Sequence, residues 1–192
     1  MTLQDYYEGV LENVPTANTL NYQVVYNAIN RARRRMAAET DATLALYNFT
    51  LTPNVWNYPY SGALVAGCSV ISVRKVWLYI GTTREKIPKV KKFDYFYTNF
   101  SSWPVKWWVE GNSVYYWPNP AEAYQSDWQV AKQPVTLATL ADVDNEIPFQ
   151  YTDAAIFLAS KYTAITDGNS QLADFFEQEY QRAMALLPRN TL

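Results

Sequence analysis

The chain has 192 residues, of which 49% are apolar and 18% charged, enough for one domain with a real core, or a domain plus an appendage, and not the composition of a disordered protein. It has no His and one Cys, Cys68, which removes the commonest general base and metal ligand, thiolate metal clusters and any disulfide framework; no cofactor is expected. Net charge is −2, but residues 1–100 hold 11 Lys and Arg against 7 Asp and Glu and residues 101–192 hold 5 against 11, a partition suited to head-to-tail contact between copies.

In chain order, Thr2–Asn13 reads as a first helix, with Thr2 as cap, Asp5 three residues on, and Leu3, Tyr6, Tyr7, Val10 and Leu11 at helical spacing. Its acidic start lacks the pattern of a secretory signal, and no apolar run is long enough for a membrane span. Leu20–Thr40 predicts a longer helix, capped by Asn18 or Thr19, whose second half reads NRARRRMAAET. Arg31, Arg33, Arg34 and Arg35 wrap its polar sides. They are read either as a contact to DNA phosphates or a neighbour's acidic face, or as a solvated helix face. Arg35 and Glu39 are spaced to pair.

The period then changes from helical to alternating. Thr43–Pro53 alternates apolar and polar, a strand with a bulge near Asn48, and Ser69–Ile80 predicts a long β segment interrupted near Arg74-Lys75. Lys86–Ile87 reads as a short return strand, and Lys89–Phe100 is helix-like. Val105–Val109 and Val114–Trp117 form a hairpin about Glu110-Gly111-Asn112-Ser113, and Trp128–Gln133 is one more strand. Aromatics make up 16% of the chain, and the hairpin is dense in them. Trp107 and Trp108 point to opposite faces of their strand, so at least one lies away from the main core unless both faces are covered, as they would be for an inserted β block in an assembly. Trp107, Tyr115 and Trp117 are expected to share one face or its rim, with part of that surface dry only in an assembly, and Trp108 is counted with them as a candidate interface residue.

Asp142, Asp144 and Glu146 alternate as in part of a calcium loop but lack its Gly and distal Glu, so a solvated acidic loop is expected and no metal. Thr152–Thr166 and Gln171–Leu187 predict a helical hairpin, with Gly168 closing the first helix and Asn169 or Ser170 capping the second. The expected fold class is α+β: a helical bundle of residues 1–42 and 148–192, with an antiparallel β-rich region, 43–147, inserted between its halves.

The order of these stretches resembles the head-to-tail adaptor (connector, or neck) proteins of tailed bacteriophages. The matching residues are Asn30, Arg34, Ala37 or Ala38, Glu39, Thr40 and Asp41; then Val109, Glu110, Gly111, Pro118 and Pro120; then Asp144, Ile147, Pro148, Tyr151, Ala154 and Ala155. The resemblance spans about residues 2–187. It implies a structural, non-enzymatic subunit of a ring, commonly twelve copies, between the portal protein and tail or nozzle proteins. Double-stranded DNA would pass through the lumen without specific binding, and the protein would sit in the virion neck after assembly in the host cytoplasm. With only five residues after Leu187, a long portal-clamping tail is not expected. A carbohydrate-binding or glycan-degrading tail module, or another tail-completion or tail-tube subunit, is the alternative from the residues themselves.

Overall fold

The computed structural model describes residues 1–91 and 101–187. The protein is mixed α+β, and its chain divides into two compact units, one of residues 1–43 and 134–192 and one of residues 44–133.

The first unit is helical. Helix α1 (Leu3–Asn13) opens with the expected capping box: the Asp5 amide donates to Thr2 Oγ1, and the Thr2 amide donates to the Asp5 carboxylate at 2.6 Å. Helix α2 (Tyr22–Glu39) begins two residues later than its apolar pattern suggests. Pro15–Thr19 closes into a 3₁₀ turn and Leu20 is extended, so Asn21 serves as the cap, accepting from the Gln23 amide at 2.9 Å. Helix α3 (Thr152–Thr166) has the predicted bounds, and helix α4 (Ser170–Leu186) is capped by Asn169. The reversal between them passes through Gly168 at φ +78°, a left-handed position that glycine adopts without strain.

Helix α3 packs against α1, α2 and α4, and one core draws Tyr6, Val10, Ile29, Met36, Leu158 and Tyr180 from all four helices. At Gly9, α1 lies close against Ile156 of α3: a Cβ there would be 2.9 Å from Ile156 Cδ1, so that side chain would have to shift. Residues 134–147, expected with the β region, belong to this unit. Buried Leu137 exchanges hydrogen bonds with the Asn30 side chain, its amide donating at 2.9 Å and its carbonyl accepting at 2.8 Å. The Leu3 amide donates to the Asp142 carbonyl, and the Asp144 amide to the Met1 carbonyl. The segment is thereby laced to the start of α1 and the middle of α2.

The second unit is built of strands β1 (Leu44–Thr50), β2 (Asn57–Pro59), β3 (Leu64–Val65), β4 (Cys68–Ile80), β5 (Thr83–Ile87), β6 (Ser101–Ser102), β7 (Lys106–Glu110), β8 (Ser113–Trp117), β9 (Asn119–Pro120) and β10 (Gln125–Lys132). An antiparallel sheet runs β1-β10-β4, with β3 and β5 both paired to β4. A second antiparallel sheet runs β2-β8-β7, and β6 pairs with β9 in a short parallel contact.

Strand β4 is continuous where an interruption was expected. Val130 lies opposite Val73 and Gln129 opposite Lys75, so Arg74 is an additional residue bulged out of register, and Ile71 is a second. Each bulge resets the alternation, which is why Val70, Val73 and Val76, spaced by three, are all buried. No register shift interrupts β1 against β10 at Asn48, where a bulge was expected. The two sheets share a core of Phe49, Val76, Leu78, Trp107, Tyr116 and Trp128. At its centre the Trp128 indole donates to the Tyr116 hydroxyl at 2.6 Å, which lies 3.0 Å from Ser126 Oγ. The helix-like reading of 89–100 falls largely outside the described residues.

Candidate functional site

The arginines of α2 have four different fates. Arg33, expected on a polar surface, is 1% exposed. Its Nε donates to Asp144 Oδ2 at 2.7 Å and its Nη2 to Asp144 Oδ1 at 2.8 Å, a two-pronged grip. Its Nη1 donates to the Val135 carbonyl and to Asn30 Oδ1, and Tyr6 donates its hydroxyl to Asp144 Oδ2. Asp144 also accepts from the amides of Glu146 and Ile147. Burial alone would raise the Asp144 carboxyl; the Arg33 hydrogen bonds and charge, with the two amides, outweigh it and hold the group below the usual carboxylate range. Burial, then the Asp144 charge, pushes the Tyr6 phenol up.

Arg35 is half-buried and joins three helices. It donates to Glu39 at 2.6 Å and makes a two-pronged contact with Glu177, which also accepts from Lys161 at 2.6 Å. Desolvation would raise Glu177, but Arg35, Lys161 and Gln181 bring it down to about 2. Arg31 and Arg34 are the exposed members. The Arg31 guanidinium lies over the Tyr162 ring at 4.1 Å, and Arg34 Nε donates to the Asn30 carbonyl.

The hairpin turns at Gly111, φ +58°, with Glu110 opposite Ser113. Its register corrects the expected aromatic grouping. Trp107 lies opposite Tyr116 and Trp108 opposite Tyr115, so Trp107 belongs to the core face, whereas Trp108, Tyr115 and Trp117 share the other. Trp107 is 1% exposed and donates its indole N–H to the Ile87 carbonyl at 2.9 Å. Trp108 is 2% exposed, stacked on Tyr115 with centroids 5.1 Å apart and flanked by Trp56. Both tryptophans are thus covered within one chain, and neither offers the surface expected of an assembly anchor. Tyr115 and Trp117 are half-buried, and Trp56, more exposed, meets Tyr115 edge-on at 5.2 Å. The outer hairpin surface is therefore Trp56, Tyr115 and Trp117.

A third feature carried no weight in the sequence. Arg74, Lys75, Lys86 and Lys89 line one groove of about 420 Å³ together with Ile87, Pro88 and Trp107, and among the described residues no carboxylate lines it. The Lys89 ammonium lies 5.0 Å from the Trp107 ring centroid. These cations are split between two strands and the segment after them, so only the β4–β5 pairing, Trp77 opposite Lys86, assembles them.

Among the described residues no group of three or more Cys, Asp or Glu is placed to hold a metal ion, and no helix is long and apolar enough to cross a membrane. Comparison with protein-family models gives no match, and comparison with curated proteins gives none.

Proposed function

We propose that this chain is a structural subunit of a bacteriophage head-to-tail adaptor ring, joining the portal protein to the tail and letting double-stranded DNA pass through its lumen without specific binding. The observation that carries the reading is the order of its matching stretches along residues 2–187. The packing adds physical sense to that order: Arg33, within the arginine-rich stretch of α2, grips Asp144 of the later acidic stretch across 111 positions of sequence. Of the expected interface, Arg31 and Arg34 are exposed and Tyr115 and Trp117 half-buried, and exposed Trp56, not among the expected residues, adjoins Tyr115. The covered Trp107 and Trp108 count against the glycan-binding alternative, which needs open, coplanar rings.

The test is negative-stain imaging and native mass measurement of the purified chain, alone and with a portal ring. Closed rings that seat on the portal are expected. A chain that stays monomeric, ignores portal and tail components and cleaves a polysaccharide would overturn the proposal.

A further inference from the structure

The charges of the chain sort by compact unit. Residues 44–133 hold 9 Lys and Arg against 5 Asp and Glu, whereas residues 1–43 with 134–192 hold 7 against 13. In each unit the excess has a surface.

On the β unit it is the groove of Lys75, Lys86 and Lys89 beside Arg74. Among the described residues, Lys75 and Lys86 have no hydrogen-bond or ion-pair partner, and Lys89 has only the Trp107 ring. Burial, and then the charge of Arg74, lower the Lys89 ammonium. Like charges lining one groove repel, and a seated anion would relieve them. Charges on an edge strand also discourage strand pairing, but that role does not account for the groove: Lys75 lies on β4, opposite Gln129 of β10, and Lys89 lies beyond β5.

On the helical unit the counterpart is α1. Residues 1–30 contain Asp5, Glu8 and Glu12 and no Lys or Arg. Steps of three and four put these carboxylates on one face of the helix, and all three are exposed. Asp5 is engaged in the cap and Glu8 accepts from Gln4, while Glu12 has no partner among the described residues.

We infer that Lys75, Lys86 and Lys89 receive the Asp5–Glu8–Glu12 face of α1 from a second copy of this chain. A contact between two different faces of the same protein repeats from copy to copy, and a fixed rotation closes it into a ring. The inference rests on the ring reading above but not on the portal or the DNA. A second copy is favoured over nucleic acid because the chain carries its own matching acidic face, and its net charge of −2 gives no bulk attraction to a polyanion.

The experiment is a charge swap in the full chain, read by sedimentation velocity and negative stain. One variant carries Lys75→Glu and Lys86→Glu, the other Glu8→Lys and Glu12→Lys. Each alone is expected to self-associate roughly tenfold or more weakly than wild type, because like charges meet at every contact. Their equimolar mixture is expected to recover assembly, because the reversed groove of one then meets the reversed helix of the other. Helical circular dichroism and tryptophan emission report whether each variant folds, and the milder Lys75→Gln/Lys86→Gln pair, expected to be intermediate, serves if a reversal does not. Both reversals assembling like wild type would overturn this contact and leave the ring reading standing. A wild-type chain that is monomeric at every concentration would overturn both. Unchanged assembly, with mixed-sequence duplex DNA retarded by wild type and not by the lysine variant, would hand the groove to nucleic acid and overturn the inference.

Discussion

Asp142 and Asp144 sit two positions apart in the same acidic stretch, and their surroundings separate them. Asp142 accepts from the Ala138 and Thr139 amides at an exposed turn. Asp144 is buried against Arg33, Tyr6 and two amides. Removing one partner of a buried ion pair leaves the other charge uncompensated, at a cost of about 3–5 kcal/mol. Asp144→Asn is therefore expected to lower the urea-unfolding free energy of the helical unit by that order, and Asp142→Asn by clearly less. Replacing Arg33 and Asp144 together by apolar residues of similar volume should recover a good part of the loss. Equal effects of the two single changes would show that the pair does not hold the unit together. The sequence could not distinguish these carboxylates, because alternation in a loop says nothing of which one meets a guanidinium 111 positions away.

Local chemistry made most elements legible. The Thr2–Asp5 box, the bounds of α3, Gly168 and the Asn169 cap all follow from residues within a few positions of one another. The hairpin was legible too, but its faces were not: parity put Trp107 and Trp108 on opposite sides, and only the pairing with Tyr116 and Tyr115 shows that both sides are covered. That register sets a prediction for the element. Trp107→Ala empties a core position and strips the donor from the Ile87 carbonyl, so it should destabilise the β unit by about 3–5 kcal/mol in denaturant unfolding followed by tryptophan fluorescence. Trp117→Ala, at a half-buried site, should cost clearly less; a reversed order would contradict the observed register. The bulges at Ile71 and Arg74 were readable only as a broken pattern, since their effect on alternation depends on the partner strand β10.

All seven tryptophans, Trp56, Trp77, Trp103, Trp107, Trp108, Trp117 and Trp128, lie within residues 44–133, while the four α-helices found among the described residues lie in the other unit. Indole fluorescence thus reports one unit and helical circular dichroism the other. The carboxylates held below their ordinary range, Asp5, Asp142, Asp144 and Glu177, are all in the helical unit. A depressed carboxylate stabilises the folded state above its unfolded value, and that contribution disappears as pH falls through the folded value. For Glu177 the window runs from the ordinary 4.5 down to about 2, and Asp144 loses its contribution on the same acid side. Acid titration is expected to melt the helical signal before the tryptophan signal, and Glu177→Gln should flatten the helical transition. Coincident loss of both signals would show that the units unfold as one.

The path between the units also passes through a single place in the β unit. Leu44, where the chain arrives, is paired with Ala131, just before it leaves, on adjacent antiparallel strands. A module whose two ends emerge side by side can be exchanged for another with similarly spaced ends while the helical scaffold stays intact. Lineages descended from one such protein could therefore keep the same frame and transplant different domains into it, changing what the molecule touches without relearning how to fold.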